Sequence, residues 1–424
     1  MSQFFAVLAT RVAPIHLANR SSAPWPCPAP QHRELPAMTD WSVSSLPGFF
    51  RSGDLVNYRP DAVGLCFSGG GYRATLFHAG AVIRLNELGL LPRLDRISSV
   101  SGGSITSGLL AMAWRHLPFD ATTGVAPADA LHAAFVEPVL EATARTLDIR
   151  VGLAGLLPFV SAGNRLADLY DSRVFNGFAL RDLPQRPAFV FNATNLQTGG
   201  LVRFTRAYLA DWRAFRSTTA HLRLADAVAA SSAFPPVLAP LRLDLSRETV
   251  ETPQGARFDA PELRREPVLV DGGVHDNLGL EAVWKRCGIL IASYAGHNAA
   301  AEASSFSVDH MVPVVYSFLA SSIDWRERML INLFRHRLAD GLPERRGAYW
   351  TAGTKMEDFP LHDGWKPSAD TLRRARDTPT RLEALSRPEQ KVVVEAGYGY
   401  ADAALRSYLL PGAPAPAGPP RVFP

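Results

Sequence analysis

The chain has 424 residues, of which 47% are hydrophobic and 20% charged, and its 44 basic and 40 acidic side chains leave a formal net charge of +4. This composition is typical of a globular protein with a large core, and the length allows one large domain with additions or two to three domains. The weak basic excess is spread along the chain without forming a block. We therefore expect no nucleic-acid partner, although the charge suits brief contact with an anionic membrane surface.

The cysteines and the apolar runs narrow the class of protein further. Cys27, Cys66 and Cys287 have no paired spacing, which argues against a disulfide framework and against a zinc site. Cys66 stands in an apolar run and is expected to be buried. No apolar run reaches the roughly 20 residues that cross a bilayer, and the early FFAVLA stretch lacks the basic lead of a secretory signal. We expect a cytoplasmic protein, peripheral to a membrane at most, although the sequence leaves secretion open.

Both ends of the chain lack the periodicity of helices and strands. Residues 1–50 begin with a stretch rich in Pro, Ser and Ala and are predicted to be a poorly ordered leader. The last residues, 411–424, form a Pro-rich tail that cannot pack as a regular element.

The first predicted elements alternate between strand and helix. Residues 64–68 (GLCFS) are predicted to form a short buried strand, and three glycines lead from it into a helix that ends near Gly89. Residues 97–100 are predicted to form a second buried strand, followed by a helix over about residues 103–116. Two successive units of strand, glycine turn and helix indicate a βαβ arrangement with a mainly parallel sheet.

The later elements complete an α/β fold. Further strands are predicted at residues 188–194, 267–270 and 288–294. Residues 305–408 look mostly helical, with helices at residues 317–338 and 389–409. The helix at 317–338 mixes aromatic and arginine residues, which is more typical of a helix on a core than of one on a membrane. We predict a mainly parallel central sheet flanked by helices, with a mostly helical C-terminal extension.

Three polar, glycine-rich segments follow predicted strands, where the reacting groups of open α/β sheets gather. They are SGGGYRAT (residues 68–75), SVSGGS (99–104) and VDGGVHDN (270–277). The middle segment fits a nucleophile elbow, a strained turn with small residues two before and two after the nucleophile. Ser101 has Ser99 and Gly103 at these positions, and the neighbouring serines fit worse. The same pattern suits a simple helix N-cap, so this segment alone leaves both interpretations open.

The first segment places Gly69, Gly70 and Gly71 before a helix, where free N–H groups can point at an anion. Two chemistries use such a turn. Residues 69–74 match the G-x-G-x-x-[GA] fingerprint of dinucleotide binding, and the same amides could form an oxyanion hole. No acidic residue follows the second strand at the ribose position, which favours the oxyanion hole.

The third segment supplies a candidate base. Asp271 directly follows an apolar run and is expected at the carboxyl end of its strand, while Gly272 and Gly273 allow other backbone to approach closely. A carboxylate beside a serine hydroxyl can act as its general base. The alternative is a turn aspartate that accepts local N–H bonds.

In this order, the three segments resemble the patatin-like phospholipase family, whose motifs are G-G-G-x-R-G, G-x-S-x-G and D-G-[GA]. Residues 192–199 and 230–240 also resemble parts of that family, and the resemblance covers about residues 61–300. It implies a three-layer fold related to the α/β-hydrolases. The expected organisation is a catalytic domain over residues 58–300 and a mostly helical extension over 301–410 that packs on it.

The resemblance also implies a function and a mechanism, which require no metal and no cofactor. Ser101 would attack the carbonyl of an acyl ester while Asp271 accepts its proton, in a Ser–Asp dyad that acts through an acyl-enzyme. The amides of Gly70 and Gly71, with Gly69 contributing, would hold the oxyanion. Supporting roles are implied for Arg73, which would brace the glycine loop, and for Gly103, Gly272 and Gly273. The expected substrate is a lipid or phospholipid, reached in transient contact with a membrane surface.

Two residues depart from the family motifs, and other interpretations stay open. Ala74 replaces the last glycine of the loop and Ser99 the first glycine of the elbow, although both are small. A Ser–His–Asp triad remains an alternative because His275 and His297 follow Asp271 in the chain order of α/β-hydrolases. A non-enzymatic nucleotide- or phosphate-binding module and an inactive lipid-binding scaffold are further alternatives.

Overall fold

The computed structural model describes residues 58–147, 161–235, 237–296, 311–338, 341, 343–361 and 363–423. Tyr58–His297 and Phe318–Pro424 form one compact unit. A second unit comprises Met1–Asn57 and Asn298–Ser317, of which the structure describes only residues 311–317. The predicted leader over residues 1–50 therefore lies outside the described residues.

The compact unit is built on one 11-stranded sheet whose path runs β11-β10-β1-β2-β3-β4-β5-β6-β8, with β9 pairing β3 and β7 off this path. The strands are β1 (Arg59–Phe67), β2 (Leu94–Ser99), β3 (Ala188–Asn195), β4 (Leu201–Phe204), β5 (Leu209–Asp211), β6 (Phe215–Ser217), β7 (Leu241–Arg242), β8 (Val250–Glu251), β9 (Val268–Asp271), β10 (Cys287–Tyr294) and β11 (Arg346–Thr351).

The described helices lie between these strands and after the last of them. They are α1 (Gly71–Glu87), α2 (Gly102–Ala113), α3 (Ala128–Leu131), α4 (Glu137–Thr143), α5 (Ala162–Tyr170), α6 (Leu224–Ser232), α7 (Pro261–Arg265), α8 (Gly273–Asp276), α9 (Glu281–Trp284), α10 (Met311–Arg335), α11 (Ala369–Asp377) and α12 (Arg387–Tyr408). Among the described helices, none combines the length and the apolar character needed to cross a bilayer.

The sheet has a parallel half and an antiparallel half. β11, β10, β1, β2 and β3 pair in parallel, whereas β4 to β9 pair antiparallel to their neighbours. The predicted α/β fold with a mainly parallel central sheet is confirmed for the core strands. The antiparallel half is a finding of the structure, because its strands are short and several have no apolar run that a sequence pattern can detect.

The strand that carries Asp271 runs against the parallel strands of the core. The sequence predicts this strand and its carboxyl end but not its direction, and β9 runs antiparallel to β3. β4 occupies one edge of β3, so β2 and β9 share the other edge and meet end to end. Ser99 at the end of β2 lies opposite Phe191, and Asp271 at the end of β9 lies opposite Ala193. The two strand ends are therefore brought together from opposite directions.

The C-terminal region is helical as predicted, with one exception. β11 lies within the stretch that was predicted to be mostly helical, and it extends the sheet in parallel beside β10. Its Trp350 is fully buried, whereas Gly347 in the strand weakens the local strand pattern. α12 packs on α1, where Gly80 and Gly397 let the two helix backbones approach closely.

One face of α10 packs on the sheet while the other faces solvent. Ile323 and Leu330 are buried in a cluster with β10, as the prediction of a core helix requires. Phe318 and Trp325 point outward, with 74% and 69% of their surfaces exposed.

The described part of the tail, residues 411–423, contains no helix or strand. It is nevertheless attached to the unit, because the carbonyls of Ala413 and Pro414 accept hydrogen bonds from Arg406 and Arg84. Cys66 is buried as expected, and Cys287 is buried as well; both are free thiols.

Candidate active site

The glycine turn between β1 and α1 has backbone angles that favour glycine. Gly70 has φ +136° and Gly71 φ +55°, in the region that side chains with a Cβ rarely adopt. A Cβ at Gly71 would also lie 2.6 Å from the carbonyl oxygen of Arg381. The turn therefore needs glycine both for its conformation and for the close approach of another chain segment.

The amides of this turn differ in what they bind. The Gly69 N–H donates to the carbonyl of Asn277 at 3.1 Å. This amide already has an acceptor, whereas the sequence led us to expect it to contribute to the oxyanion hole. Within the described residues, the amides of Gly70 and Gly71 donate no hydrogen bond. They precede or begin a helix, where N–H groups have no intrahelical acceptor. These two amides are available to an anion.

Ser101 occupies a strained turn between β2 and α2. Its φ of +50° and ψ of −122° lie in a region that costs a serine about 1–3 kcal/mol. Ser101 is the N-cap residue of α2, yet its side chain makes no capping hydrogen bond. The simple N-cap interpretation therefore does not account for this serine, whereas the strained turn is the conformation of a nucleophile elbow.

The elbow packs tightly against the glycine turn. A Cβ at Gly102 would lie 2.0 Å from the Gly71 carbonyl oxygen, and one at Gly103 would lie 2.6 Å from that of Ser68. The Gly102 amide, directly after Ser101, also donates no hydrogen bond within the described residues. Sequence reasoning did not single it out, although the amide after an elbow nucleophile is a common oxyanion donor.

Ser99 stands at the position of the first elbow glycine without disturbing the turn. Its φ is not positive, so the position has no conformational need for glycine. The Ser99 hydroxyl is buried and accepts a hydrogen bond from the Ser104 hydroxyl at 3.0 Å. Ala74, the other departure from the family motifs, lies within α1 and is likewise compatible with a Cβ.

Asn192 connects the two strand ends on the edge of β3. Its side-chain amide donates to the Ser98 hydroxyl and to the Ser99 carbonyl, both at 2.8 Å. The backbone carbonyl oxygen of Asn192 would lie 2.2 Å from a Cβ at Gly272, which explains why glycine follows Asp271. Asn192 thus contacts the end of β2 through its side chain and the end of β9 through its backbone.

The carboxyl of Asp271 is buried and incompletely hydrogen-bonded. Oδ1 accepts the Gly273 N–H at 2.7 Å, whereas Oδ2 has no hydrogen-bond partner among the described residues. Burial raises the pKa of Asp271 to about 7, against the lowering effect of the Gly273 N–H and the Ser101 hydroxyl. The Ser101 hydroxyl is thus close enough to influence the carboxyl, although the two do not meet the geometry of a formed hydrogen bond. A buried carboxyl that titrates near neutral pH is suited to act as a general base.

A segment that the motifs left without a role contacts both Ser101 and Asp271. At the end of α6, Ser231 accepts the Ser101 N–H through its carbonyl at 3.1 Å and through its hydroxyl at 2.9 Å. The carbonyl of Ala233 accepts the Asp271 N–H at 2.9 Å. Only the family-like A-S-x-A pattern of residues 230–233 could have pointed to this role.

The histidines of the triad alternative lie elsewhere or outside the described residues. His275 Nδ1 is 3.2 Å from the Gly199 carbonyl and Nε2 is 2.9 Å from Glu281 Oε2, so both ring nitrogens have partners other than Asp271. His297 is outside the described residues. His78, beneath the glycine turn, is buried, which lowers its pKa to about 3. It contacts the Ser68 carbonyl and the Ser293 hydroxyl.

Arg73 does not point into the space between Ser101 and the glycine amides. Its Nη1 donates to the carbonyls of Arg376 and Thr378 at 2.9 and 3.1 Å.

Within the described ranges, no group of three or more His, Cys, Asp or Glu side chains is arranged to hold a metal ion.

Comparison with known proteins identifies the family. A model of the patatin-like phospholipase family matches residues 65–284, slightly more than half of the 424-residue chain. The chain belongs to the patatin-like phospholipase family. No curated protein sequence matches it significantly.

Similar solved structures come from a bacterium and from human. VipD from Legionella pneumophila has 15% identity and a TM-score of 0.34, over 81% of this chain and 66% of that protein. Human GIVD cytosolic phospholipase A2 has 12% identity and a TM-score of 0.43, over 85% and 60%. Its complex with methyl gamma-linolenyl fluorophosphonate has 14% identity and a TM-score of 0.43, over 80% and 57%. The chain thus spans 57–66% of the length of these proteins.

Proposed function

We propose that this patatin-like protein is a lipid acyl hydrolase that uses a Ser101–Asp271 dyad and proceeds through an acyl-enzyme. The observation that carries the proposal is the strained Ser101, which is not used as a cap and lies beside a buried carboxyl with an unpartnered oxygen. The family supports lipid esters as the substrate class.

In the first half of the reaction, Ser101 Oγ attacks the ester carbonyl carbon while Asp271 takes the hydroxyl proton. The carbonyl oxygen becomes an oxyanion and accepts hydrogen bonds from the amides of Gly70 and Gly71. Each well-placed donor of this kind is worth about 2.7–4 kcal/mol. The carbon–oxygen bond to the alcohol then breaks, and the leaving alcohol takes the proton from Asp271, which leaves an acyl group on Ser101.

In the second half, Asp271 removes a proton from a water that attacks the acyl carbon. The same amides stabilise the second oxyanion. The bond between Ser101 Oγ and the acyl carbon breaks, Oγ recovers its proton from Asp271, and the fatty acid leaves. The pKa near 7 supports this double role, because the group accepts and returns a proton near neutral pH.

The test is hydrolysis of a phospholipid and of short-chain p-nitrophenyl esters by wild type, Ser101→Ala, Asp271→Asn and His275→Asn. We expect Ser101→Ala to fall to background, Asp271→Asn to lose about 10²–10⁴-fold, and His275→Asn to stay within a few-fold. Equal activity in the first three proteins would contradict the proposal. A loss in His275→Asn as large as that in Ser101→Ala would favour the triad.

The substrate is reached at an anionic lipid surface, to which α10 binds with its outer face. The exposed Phe318 and Trp325 supply apolar contact, and the Arg328 guanidinium lies 5.8 Å from the centre of the Trp325 ring. Arg326 pairs with the buried Asp276 at 3.0 Å, which ties α10 to the segment that follows Asp271. Aromatic and basic residues on one exposed face favour binding at a charged interface.

Sedimentation with phosphatidylglycerol vesicles tests this contact. Replacing both Phe318 and Trp325 by alanine should reduce binding at least tenfold, whereas Tyr408→Ala, at another exposed aromatic, should not. Short-chain ester hydrolysis should be unchanged in both variants. Unaltered vesicle binding in the double variant would contradict the assignment of α10.

A further inference from the structure

A segment from the C-terminal region lies directly over the glycine turn. We define residues 376–381, which run from the last two residues of α11 into the loop before α12, as the cover segment. Its Arg381 carbonyl accepts the Tyr72 N–H at 2.9 Å. The backbone of Thr380 and Arg381 would lie 2.6–2.8 Å from a Cβ at Gly71. The contact is therefore made between two backbones, at the residue that supplies one of the proposed oxyanion amides.

Arg73 is hydrogen-bonded to the other end of the cover segment. The residue is only 5% exposed, and its Nη1 donates to the carbonyls of Arg376 and Thr378. A guanidinium presents several donors in a fixed plane, so it can hold two carbonyls of one turn at once. Tyr72 and Arg73, the two residues after the glycines, thus hold both ends of the cover segment.

The cover segment is itself anchored on its far side. The Leu382 carbonyl accepts the Leu147 N–H at 2.8 Å, and the Leu385 N–H donates to the Thr143 carbonyl at 2.9 Å. The Tyr72 hydroxyl donates to the Arg145 carbonyl at 2.9 Å, in the same stretch after α4. The residues just after the cover segment, and Tyr72 itself, are therefore hydrogen-bonded to the end of α4 and the residues that follow it.

We propose that the cover segment positions the oxyanion amides, and that Arg73 is the positioning residue through which it acts. This inference rests on the proposed function, because it concerns the direction of the Gly70 and Gly71 amides. Oxyanion donors are effective only when they are held in place before the reaction. The peptide that follows Gly71 is fixed by the bond from Tyr72 to Arg381, so the turn cannot rotate without breaking it.

The consequence is that the site depends on residues far outside the family-matched range. The match ends at residue 284, whereas the cover segment begins more than 90 residues later. The helical C-terminal region is therefore part of the catalytic apparatus of this chain.

Helix α1 offers a matched control for Arg73. Arg84 is in the same helix, is only 3% exposed, and also binds the C-terminal region, through Asp402 at 2.8 Å and the Pro414 carbonyl. It lies about three helical turns after Arg73 in α1. Both arginines attach α1 to the C-terminal region, but only Arg73 is next to the oxyanion turn.

The test compares Arg73→Ala, Arg73→Lys and Arg84→Ala in the full chain. We expect Arg73→Ala to lower kcat for a short-chain ester about 10²-fold, with KM changed less than threefold. Arg73→Lys should recover at least tenfold of the loss, since the lysine ammonium keeps a cationic group that can donate to the same carbonyls. Arg84→Ala should lower Tm but keep kcat per folded molecule within threefold. Equal kcat in Arg73→Ala and Arg84→Ala would overturn the inference.

Hydrogen exchange of the Tyr72 amide gives a second readout that needs no activity. Exchange should accelerate at least tenfold in Arg73→Ala and stay unchanged in Arg84→Ala. If Arg73→Ala folds poorly, Arg73→Lys should still show an intermediate exchange rate; a rate equal to that of wild type would overturn the inference. If wild type hydrolyses no ester, the proposed function fails, while the exchange rates still decide whether Arg73 and the cover segment hold the turn.

Discussion

The two halves of the sheet contribute different parts of the site. Two strands of the parallel half, β1 and β2, end in turns that enter helices. These turns contain Ser101 and the amides of Gly70 and Gly71, which donate no hydrogen bond within the described residues. The antiparallel half supplies Asp271, at the end of a four-residue strand that approaches β2 from the opposite direction. The position of Ser101 thus depends on a strained local turn, whereas the position of Asp271 depends on how two strands meet on β3.

Removing the carboxyl at the end of β9 should have the largest effect on ester hydrolysis, because it takes away the contribution of the antiparallel half and leaves the turns of the parallel half in place. Asp271→Asn keeps an oxygen for the Gly273 N–H but cannot accept a proton. Activity should fall about 10²–10⁴-fold, whereas wild-type kcat/KM should rise with pH through about 7 as the carboxyl ionises. A variant with the wild-type pH profile would contradict the assignment of Asp271 as the base.

The same variant should alter the pH dependence of stability. The folded-state pKa of Asp271, about 7, lies above its ordinary value of 3.8. Between these values the folded protein keeps a proton that the unfolded chain releases, so wild-type stability falls as pH rises from about 4 to about 7. At about 1.4 kcal/mol per pKa unit, Asp271→Asn should gain a few kcal/mol relative to wild type between pH 4 and 8. Denaturant unfolding at both pH values measures this, and a constant difference would contradict it.

Disrupting the junction of the two halves, where Asn192 contacts the ends of β2 and β9, should lower kcat by a smaller factor. Asn192→Ala removes the bonds to Ser98 and Ser99 and should lower kcat about tenfold, because small shifts of a nucleophile are costly. Asn195→Ala is the matched control, since Asn195 lies on the same strand and bonds Asp211 instead. Both variants should lose about 1–3 kcal/mol of stability. Equal kcat losses would show that the junction has no special role.

Changing Ser99 should have the smallest effect. Ser99→Gly restores the family residue but removes a buried hydroxyl that accepts from Ser104. Since Ser99 has no positive φ, we expect stability to fall by about 1 kcal/mol and ester hydrolysis to change less than threefold. A gain of tenfold or more would mean that the serine Cβ distorts the elbow.

The sequence predicts four strands of the parallel half, β1, β2, β3 and β10, because their signals are local, whereas it misses β11. Apolar runs, glycine turns and helical spacing lie within about 20 residues of one another, and they located the turns of Ser101 and Gly70. The contacts that complete the site are not local. Ser231 reaches Ser101 across 130 residues, and the carbonyl of Arg376 reaches Arg73 across 303. Backbone carbonyls leave no side-chain pattern, so the cover segment and the engaged Gly69 amide could be found only in the structure.

The direction of β9 could not be predicted from the sequence either. The apolar run before Asp271 predicted a strand and its end, but direction depends on pairing partners, and β9 pairs with residues about 75 positions earlier. The predicted position of Asp271 at the carboxyl end of its strand does not depend on that direction, and the end-to-end meeting of β2 and β9 brings the two strand ends together.

The central claim is that Ser101 is a nucleophile activated by Asp271, and labelling with a fluorophosphonate tests it most directly. The reagent should modify the peptide that contains Ser101, at a rate that rises through about pH 7. Ser101→Ala should not be labelled, and Asp271→Asn should be labelled at least 10²-fold more slowly. Labelling of another residue, or equal rates in wild type and Asp271→Asn, would contradict the account.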